Sequence, residues 1–278
     1  MQQKTLNVAG QVLSLSTPAV MGILNITPDS FHAGSRFRPD SDELVDTAGQ
    51  MLTDGATFLD IGGYSTRPGA EEISEVEEWE RVAPVIEKLV ATFPGVHLSI
   101  DTFRSDVARQ AVLAGACMIN DVSGGTLDAQ MFETVAELGI PYVLMHMRGT
   151  PQTMTKMTTY QHLVVDVLRE LQGKLRVLRS LGVADVLVDP GFGFAKTVAQ
   201  NFELLNALES FHELDAPLMV GISRKSLIWR SLGITAADAL NGTTVLNTLA
   251  LQKGASLLRV HDVKPACEAI KLWQLTRG

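Results

Sequence analysis

Short, continuously apolar runs alternate along the chain with longer segments in which apolar positions recur at helical spacing. Residues 5–16 carry a β-hairpin pattern, turning at Ala9-Gly10-Gln11. Eight apolar runs follow, at residues 19–25, 57–62, 97–101, 117–121, 142–146, 186–189, 218–223 and 256–261. The segments between them carry helix signals. Asp40-Ser41-Asp42-Glu43 forms a capping pattern, Ser105 and Asp106 start another helix, and Gly139, Gly182 and Gly254 close three. Runs that do not alternate indicate strands covered on both faces, as in a parallel sheet wrapped by helices. Eight β-then-α units within 278 residues predict an α/β fold, a (β/α)8 TIM barrel with a short N-terminal β-hairpin. An open doubly wound sheet would carry Gly-x-Gly-x-x-Gly after its first strand; here Gly191-Phe192-Gly193 follows the sixth run, with Ala195 and Lys196 behind it. No linker or composition break divides the chain, so residues 1–278 read as a single barrel domain.

Composition narrows the function classes. Against 31 Asp and Glu stand 23 Lys and Arg, a formal net charge of −8. Hydrophobic content of 46% with 19% charged residues excludes a disordered chain. An acidic chain without a Lys/Arg run is not a general binder of nucleic acid or anionic membrane, yet it can hold a small anion with a few local cations. Cys117 and Cys267 lie far apart without neighbours at metal-ligand spacing, so neither a disulfide framework nor a zinc site is expected. The first residues lack the apolar core of a signal peptide, and no apolar run approaches the roughly 20 residues of a membrane span. A soluble, cytoplasmic protein is expected.

In a (β/α)8 barrel, chemistry gathers where strands run into the following helices. The predicted strand ends carry Asn25, Gly62-Gly63, Asp101, Asn120-Asp121, His146, Asp189, Ser223-Arg224-Lys225 and Arg259-Val260-His261. One polar residue at a strand end is ordinary turn chemistry; polar closure on nearly every strand defines a site. A carboxylate such as Asp101 or Asp189 can accept two parallel hydrogen bonds from an amino-pyrimidinone edge. Lys225, Arg259 and His261 come from the last two strands, the quadrant that often seats phosphate in these barrels. The loops after the first two strands, residues 26–39 and 63–70, are long and polar enough to act as lids.

The motifs at these ends are specific. Gly22-Ile-Leu-Asn-Ile-Thr-Pro-Asp-Ser-Phe31, Asp60-Ile-Gly-Gly-Tyr-Ser-Thr-Arg-Pro-Gly-Ala70, Ile119-Asn-Asp-Val-Ser-Gly124 and Met145-His-Met-Arg-Gly-Thr-Pro151 occur in order. Asp189-Pro-Gly-Phe-Gly-Phe194, Gly221-Ile-Ser-Arg-Lys-Ser226 and Arg259-Val-His-Asp262 follow. Together they resemble the dihydropteroate synthase family, end to end. The resemblance implies a folate-biosynthesis transferase on a TIM barrel. Such an enzyme condenses 6-hydroxymethyl-7,8-dihydropterin pyrophosphate with p-aminobenzoate, giving 7,8-dihydropteroate and pyrophosphate with Mg²⁺.

By the same resemblance, Asp101, Asn120, Asp189, Lys225 and Arg259 match pterin-binding positions. Asn25, Thr66, Arg67, Arg259 and His261 match pyrophosphate contacts, Asn25 also being associated with the metal. Phe31, Thr66, Arg67, Pro68 and Ser223 match the p-aminobenzoate pocket. Asp101, Lys225, Arg259 and His261 are the expected catalytic residues. The family is a target of sulfonamides, and the ordinary Ser65-Thr-Arg-Pro-Gly69 loop implies ordinary sensitivity. Relatives are usually homodimers; Leu227, Ile228, Trp229, Leu249, Leu251 and Trp273 are interface candidates that core packing explains equally well. The departures fall in the loops: Tyr64 stands where many relatives have Glu, and His32-Ala-Gly-Ser35 replaces Ser-Asp-Gly-Gly.

No nucleophile elbow or cationic cysteine is present, so catalysis is expected from charge stabilisation and positioning along an SN1-like path. Asp101 is the candidate to stabilise a ring-conjugated cation, Asp189 to recognise the pterin, and the cations to receive pyrophosphate. Lys225 as a Schiff-base lysine is disfavoured by its Ser-Arg-Lys-Ser setting. His146 reads equally as packing or as a substrate contact, and Arg224 as an ion-pair partner or a loop-orienting residue. Asp121, beside Asn120, should face the other way and act structurally. Residues 71–80 read as a solvated helix start. Two alternatives stand: a pterin-binding corrinoid-dependent methyltransferase domain, which needs no pyrophosphate site, and a non-catalytic pterin-binding protein, whose loops would have degenerated.

Overall fold

The computed structural model describes residues 5–26, 42–67 and 71–277. Phe31, Pro68, the His32–Ser35 stretch and the first half of the Asp40–Glu43 cap lie outside the described residues. Strands β1 (Thr5–Val8) and β2 (Gln11–Ser14) pair as an antiparallel hairpin. The remaining strands are β3 (Ala19–Asn25), β4 (Phe58–Gly62), β5 (Leu98–Asp101), β6 (Met118–Asp121), β7 (Tyr142–Met145), β8 (Val186–Asp189), β9 (Met219–Val220) and β10 (Leu257–Val260). Helices α1 (Asp42–Thr53), α2 (Glu75–Thr92), α3 (Ser105–Leu113), α4 (Met131–Leu138) and α5 (Leu163–Ser180) follow β3 to β7 in turn. Then come α6 (Val198–Asn206) after β8, α7 (Ser226–Leu232) and α8 (Leu240–Gln252) after β9, and α9 (Val263–Leu275) after β10.

All eight strands from β3 onward are parallel, ordered β8-β7-β6-β5-β4-β3-β10-β9. The two ends meet through a parallel bridge between Val188 and Leu218, where Val188 N donates to Pro217 O at 2.9 Å. The predicted barrel and hairpin are therefore both observed. The strand predicted over 218–223 is shorter than expected, because pairing with β10 ends at Val220. No described helix is long and apolar enough to cross a membrane.

The period of two along each strand explains the layering. Outward residues such as Leu59, Ile61, Ile100, Ile119, Leu144 and Val188 pack beneath the helices in one large core. Inward residues form a second apolar layer at the strand beginnings: Met21, Phe58, Met118, Val143, Leu187, Met219 and Leu257. Leu6, Val8 and Leu15 from the hairpin segment close that layer from below. The same inward register, continued toward the strand ends, arrives at Asn25, Asp60, Asp101, Asn120, Asp189 and Arg259. An apolar floor and a polar mouth are thus two parts of one face.

One expectation is corrected. Residues 71–80 are not simply a solvated helix start: Ser74 caps α2, but Glu78 is fully buried and pairs with Arg104 at 2.6 Å. The turn of α2 that carries Glu78 faces the sheet, so its carboxylate needs a cation inside. Of the interface candidates, Leu227, Ile228 and Leu251 are core, Trp229 and Trp273 pack against it partly buried, and Leu249 is exposed. Val245 of α8 and Leu272 and Leu275 of α9 are exposed as well.

The hairpin plug makes a prediction about the floor. Leu6 is 1% exposed, so Leu6→Ala should cost roughly 2–5 kcal/mol. The urea midpoint should fall without a change in slope, and ligand binding at the opposite end should be unaffected.

Candidate active site

The polar strand ends surround a cavity of about 710 Å³. Every predicted site residue that is described lines it: Asn25, Thr66, Arg67, Asp101, Asn120, Asp189, Ser223, Lys225, Arg259 and His261. They come from widely separated parts of the chain because each strand delivers one or two inward positions to the same mouth.

At its centre lies a buried ion-pair chain. Arg259 Nε donates to Asp60 Oδ2 at 2.6 Å, and Arg259 Nη2 donates to Asp101 Oδ2 at 2.7 Å. Asp60 Oδ2 also accepts from Asn120 Nδ2 at 3.0 Å. Burial raises the Asp101 carboxyl to about 7; Arg259 opposes that rise and the Asp60 charge adds to it. Charge is therefore interleaved in this quarter of the site. Two acids this deep require a cation between them, and Arg259 is the one that β10 brings within reach.

A second pair stands beside the first. Asp189 Oδ1 accepts from Gly191 N at 2.7 Å. Gly191 has φ of +75°, and a Cβ there would meet His146 O at 2.0 Å, so only glycine permits this turn. Lys225 Nζ donates to Phe192 O at 2.6 Å and lies 4.7 Å from the Phe194 ring centroid. Burial lowers the Lys225 ammonium to about 8, with Asp189 pulling the other way. Ser223 Oγ accepts from His261 N at 3.1 Å and lies 3.0 Å from His261 Nδ1.

Beneath this layer is a brace that the sequence did not reveal. Lys196 Nζ donates to Gly191 O, Phe194 O and His146 Nδ1 at 2.9, 3.0 and 3.0 Å. His146 Nε2 then donates to Glu170 at 3.0 Å, and Glu170 also pairs with Arg148. Burial lowers Lys196 to about 7 and His146 to about 4. Burial alone would raise Glu170, but hydrogen bonds from His146 and Arg148 outweigh it and hold the carboxyl at about 2. His146 is thus a support, with no place in the reacting layer. Tyr64, the departure in loop two, accepts from Gln152 Nε2 at 3.0 Å and stacks edge-on against Phe103.

Asp60 was the other omission. Its signal was present: an acid inside an apolar strand, in register with inward Phe58. Asp121 faces outward as expected, accepting from Ser123 N, Gly125 N and Tyr142 Oη, each at 2.7 Å. Arg224 fills both of its readings, pairing with Asp262 at 2.8 Å and holding the Ala236 and Ala237 carbonyls.

The cavity lies at the strand ends of the barrel, and the family described as "Pterin binding enzyme" matches this chain over residues 21–261, so the chain is a pterin-binding enzyme by class. The chain is 41% identical over 269 residues to dihydropteroate synthase of Escherichia coli strain K12, covering 96% of this chain and 94% of that protein. A Yersinia pestis dihydropteroate synthase solved with a sulfonamide drug complex superposes with a TM-score of 0.92 at 41% identity, covering 98% of this chain and 99% of that one. The Xanthomonas albilineans enzyme solved with 4-aminobenzoic acid gives 0.89 at 40% identity over 100% and 99% of the two chains. The chain belongs to the dihydropteroate synthase family and is a transferase of that kind.

The brace generates a pH prediction. His146 titrates at about 4 when folded against an ordinary 6.5. Between those values the unfolded chain binds more protons, so stability rises with pH there and is lost on acidification. His146→Asn should flatten the slope of Tm against pH across that window, as thermal melts at closely spaced pH would show.

Proposed function

We propose that the chain condenses 6-hydroxymethyl-7,8-dihydropterin pyrophosphate with p-aminobenzoate, forming 7,8-dihydropteroate and pyrophosphate. The observation that carries this reading is the set of buried acceptors at the cavity floor, within the same wall as Lys225, Arg259, Arg67 and His261. Asp101, Asn120 and Asp189 would receive the ring's N–H groups, with Lys225 and Arg259 closing on the pterin. Arg67, Arg259, His261, Thr66 and Asn25 would hold the pyrophosphate. Thr66, Arg67 and Ser223, with Phe31 and Pro68, would form the p-aminobenzoate pocket, for which sulfonamides compete.

The bond between the pterin methylene and the bridging oxygen breaks with both electrons leaving on pyrophosphate. The amine nitrogen then bonds to the methylene carbon and sheds a proton. Because an arylamine is a weak nucleophile, departure dominates the barrier, and the SN1-like order follows. Asp101 serves this order: a cation developing beside it lowers its pKa and is stabilised by its charge, an interaction stronger in the transition state than before it. Arg259 and His261 stabilise the charge growing on the leaving group.

The donor set also suits Mg²⁺. No cluster of three or more His, Cys, Asp or Glu side chains able to hold a metal occurs among the described residues. Mg²⁺ commonly uses one or two protein oxygens together with substrate phosphates. Asn25, at the end of β3, lines the cavity and offers such an oxygen. Asn25 would hold the ion, which when bound neutralises charge on the pyrophosphate. The exposed Val245, Leu249, Leu272 and Leu275 support a homodimer through the α8–α9 face.

Incubation with the pterin pyrophosphate, Mg²⁺ and p-aminobenzoate should release dihydropteroate and pyrophosphate together; a folded preparation yielding neither product overturns the reading. Arg67→Ala should raise KM for the amine while leaving binding of the pterin pyrophosphate nearly intact. A matched loss of pterin binding would place Arg67 elsewhere. For the order of steps, isotope scrambling of the bridging oxygen without amine is expected.

A further inference from the structure

We propose that Asp60 is a positioning residue for the pterin end of the site, setting through one oxygen how both Asn120 and Arg259 meet the substrate. The inference rests on the assignment of those two residues to the pterin pyrophosphate. Asp60 is fully buried in the middle of β4, below the layer that lines the cavity, so it acts through its partners.

The chemistry follows from what a carboxylate can do. An ionised carboxylate only accepts hydrogen bonds, so the Asn120 group facing Asp60 Oδ2 has to be its NH2. The other end of the carboxamide, Asn120 Oδ1, is buried and has no hydrogen-bond partner among the described residues. Asn120 is thereby set as an acceptor for a ligand donor, which matches an N–H on a pterin ring. Were the amide reversed, two carbonyl-type oxygens would oppose each other at Asp60, and the ligand would meet a donor instead. The same Asp60 oxygen takes Arg259 Nε, while Asp101 takes Arg259 Nη2. An anionic substrate group drawing Nη2 away from Asp101 therefore leaves the guanidinium anchored at Nε. One buried atom thus fixes both the polarity of Asn120 and the pivot of Arg259.

Asp60→Asn preserves volume and removes the charge. By calorimetry, it should weaken binding of 6-hydroxymethyl-7,8-dihydropterin pyrophosphate roughly 10- to 100-fold, the loss typical of a hydrogen bond to a charged group. The KM for p-aminobenzoate at saturating pterin pyrophosphate should change by less than about threefold, since Asp60 bonds to Asn120 and Arg259, on the pterin side. In an Asn120→Ala background the same substitution should cost clearly less, because coupled residues are not additive. Binding by Asp60→Asn equal to that of the unmutated protein, or losses that simply multiply with Asn120→Ala, would overturn the inference. Should Asp60→Asn fail to fold, side-chain ¹⁵N–¹H signals of Asn120 in the unmutated protein decide it. Amide protons protected from exchange, with and without the pterin pyrophosphate, support it; freely exchanging ones overturn it. Failure of the unmutated protein to bind the pterin pyrophosphate sinks the proposed function and this inference together, whereas normal binding with indifference to Asp60 sinks this inference alone.

Discussion

A carboxylate inside an apolar barrel keeps its charge only if a cation or a set of donors replaces the water it has lost. Arg259 meets that condition for two acids at once, and the upper half of the barrel interior is organised around it. Asp60 and Asp101 stand on adjacent strands β4 and β5, Arg259 reaches both from β10, and Asn120 joins from β6 through Asp60. Beside it, Asp189 and Lys225 oppose each other's burial through their charges. Burial raises Asp101 and Asp189, and a cation opposes the rise at each, so the layer is held together by the same forces that make it responsive to a charged ligand.

That layer needs a rigid support, and the fold supplies one from beneath. Seven strands contribute an inward apolar side chain to the floor, and the hairpin closes it with Leu6, Val8 and Leu15. The polar positions follow in the same register, so the strands themselves hold the polar groups that line the cavity. Lys196 provides a lateral support of another kind: three acceptors hold its ammonium, and the Gly191–Phe194 turn is fixed where Phe192 O can meet Lys225.

Loop two shows how a departure from the family pattern is absorbed. Tyr64 lies against Phe103, with the Arg104 guanidinium 5.3 Å from its ring centroid and Arg104 itself held by buried Glu78. Its hydroxyl reaches Gln152, in the loop after β7. An aromatic ring with a polar tip thus ties the base of loop two, and with it Thr66 and Arg67, to both the neighbouring helix and the far side of the mouth.

Local rules were enough for the barrel, because an apolar run, a turn and a helical period are each written within a few residues. The strand-end residues Asp101, Asn120, Asp189, Lys225, Arg259 and His261 were legible for the same reason: a polar residue closing an apolar run marks the mouth of the barrel. What the sequence could not decide was who pairs with whom. Arg259 and Asp60 are 199 positions apart, and Lys196 meets His146 across 50; no spacing along the chain encodes such contacts. Closure of the sheet alone brings β10 beside β3, with β4 one strand further on. Only that closure turns Asp60 from an oddity within a strand into the anchor of the site, and makes a buried ion of Glu78 on a helix whose sequence looks solvated. Near-neighbour physics sets the elements and their polar ends, whereas the requirement that every buried charge find a partner is met by residues that only the closed barrel brings together.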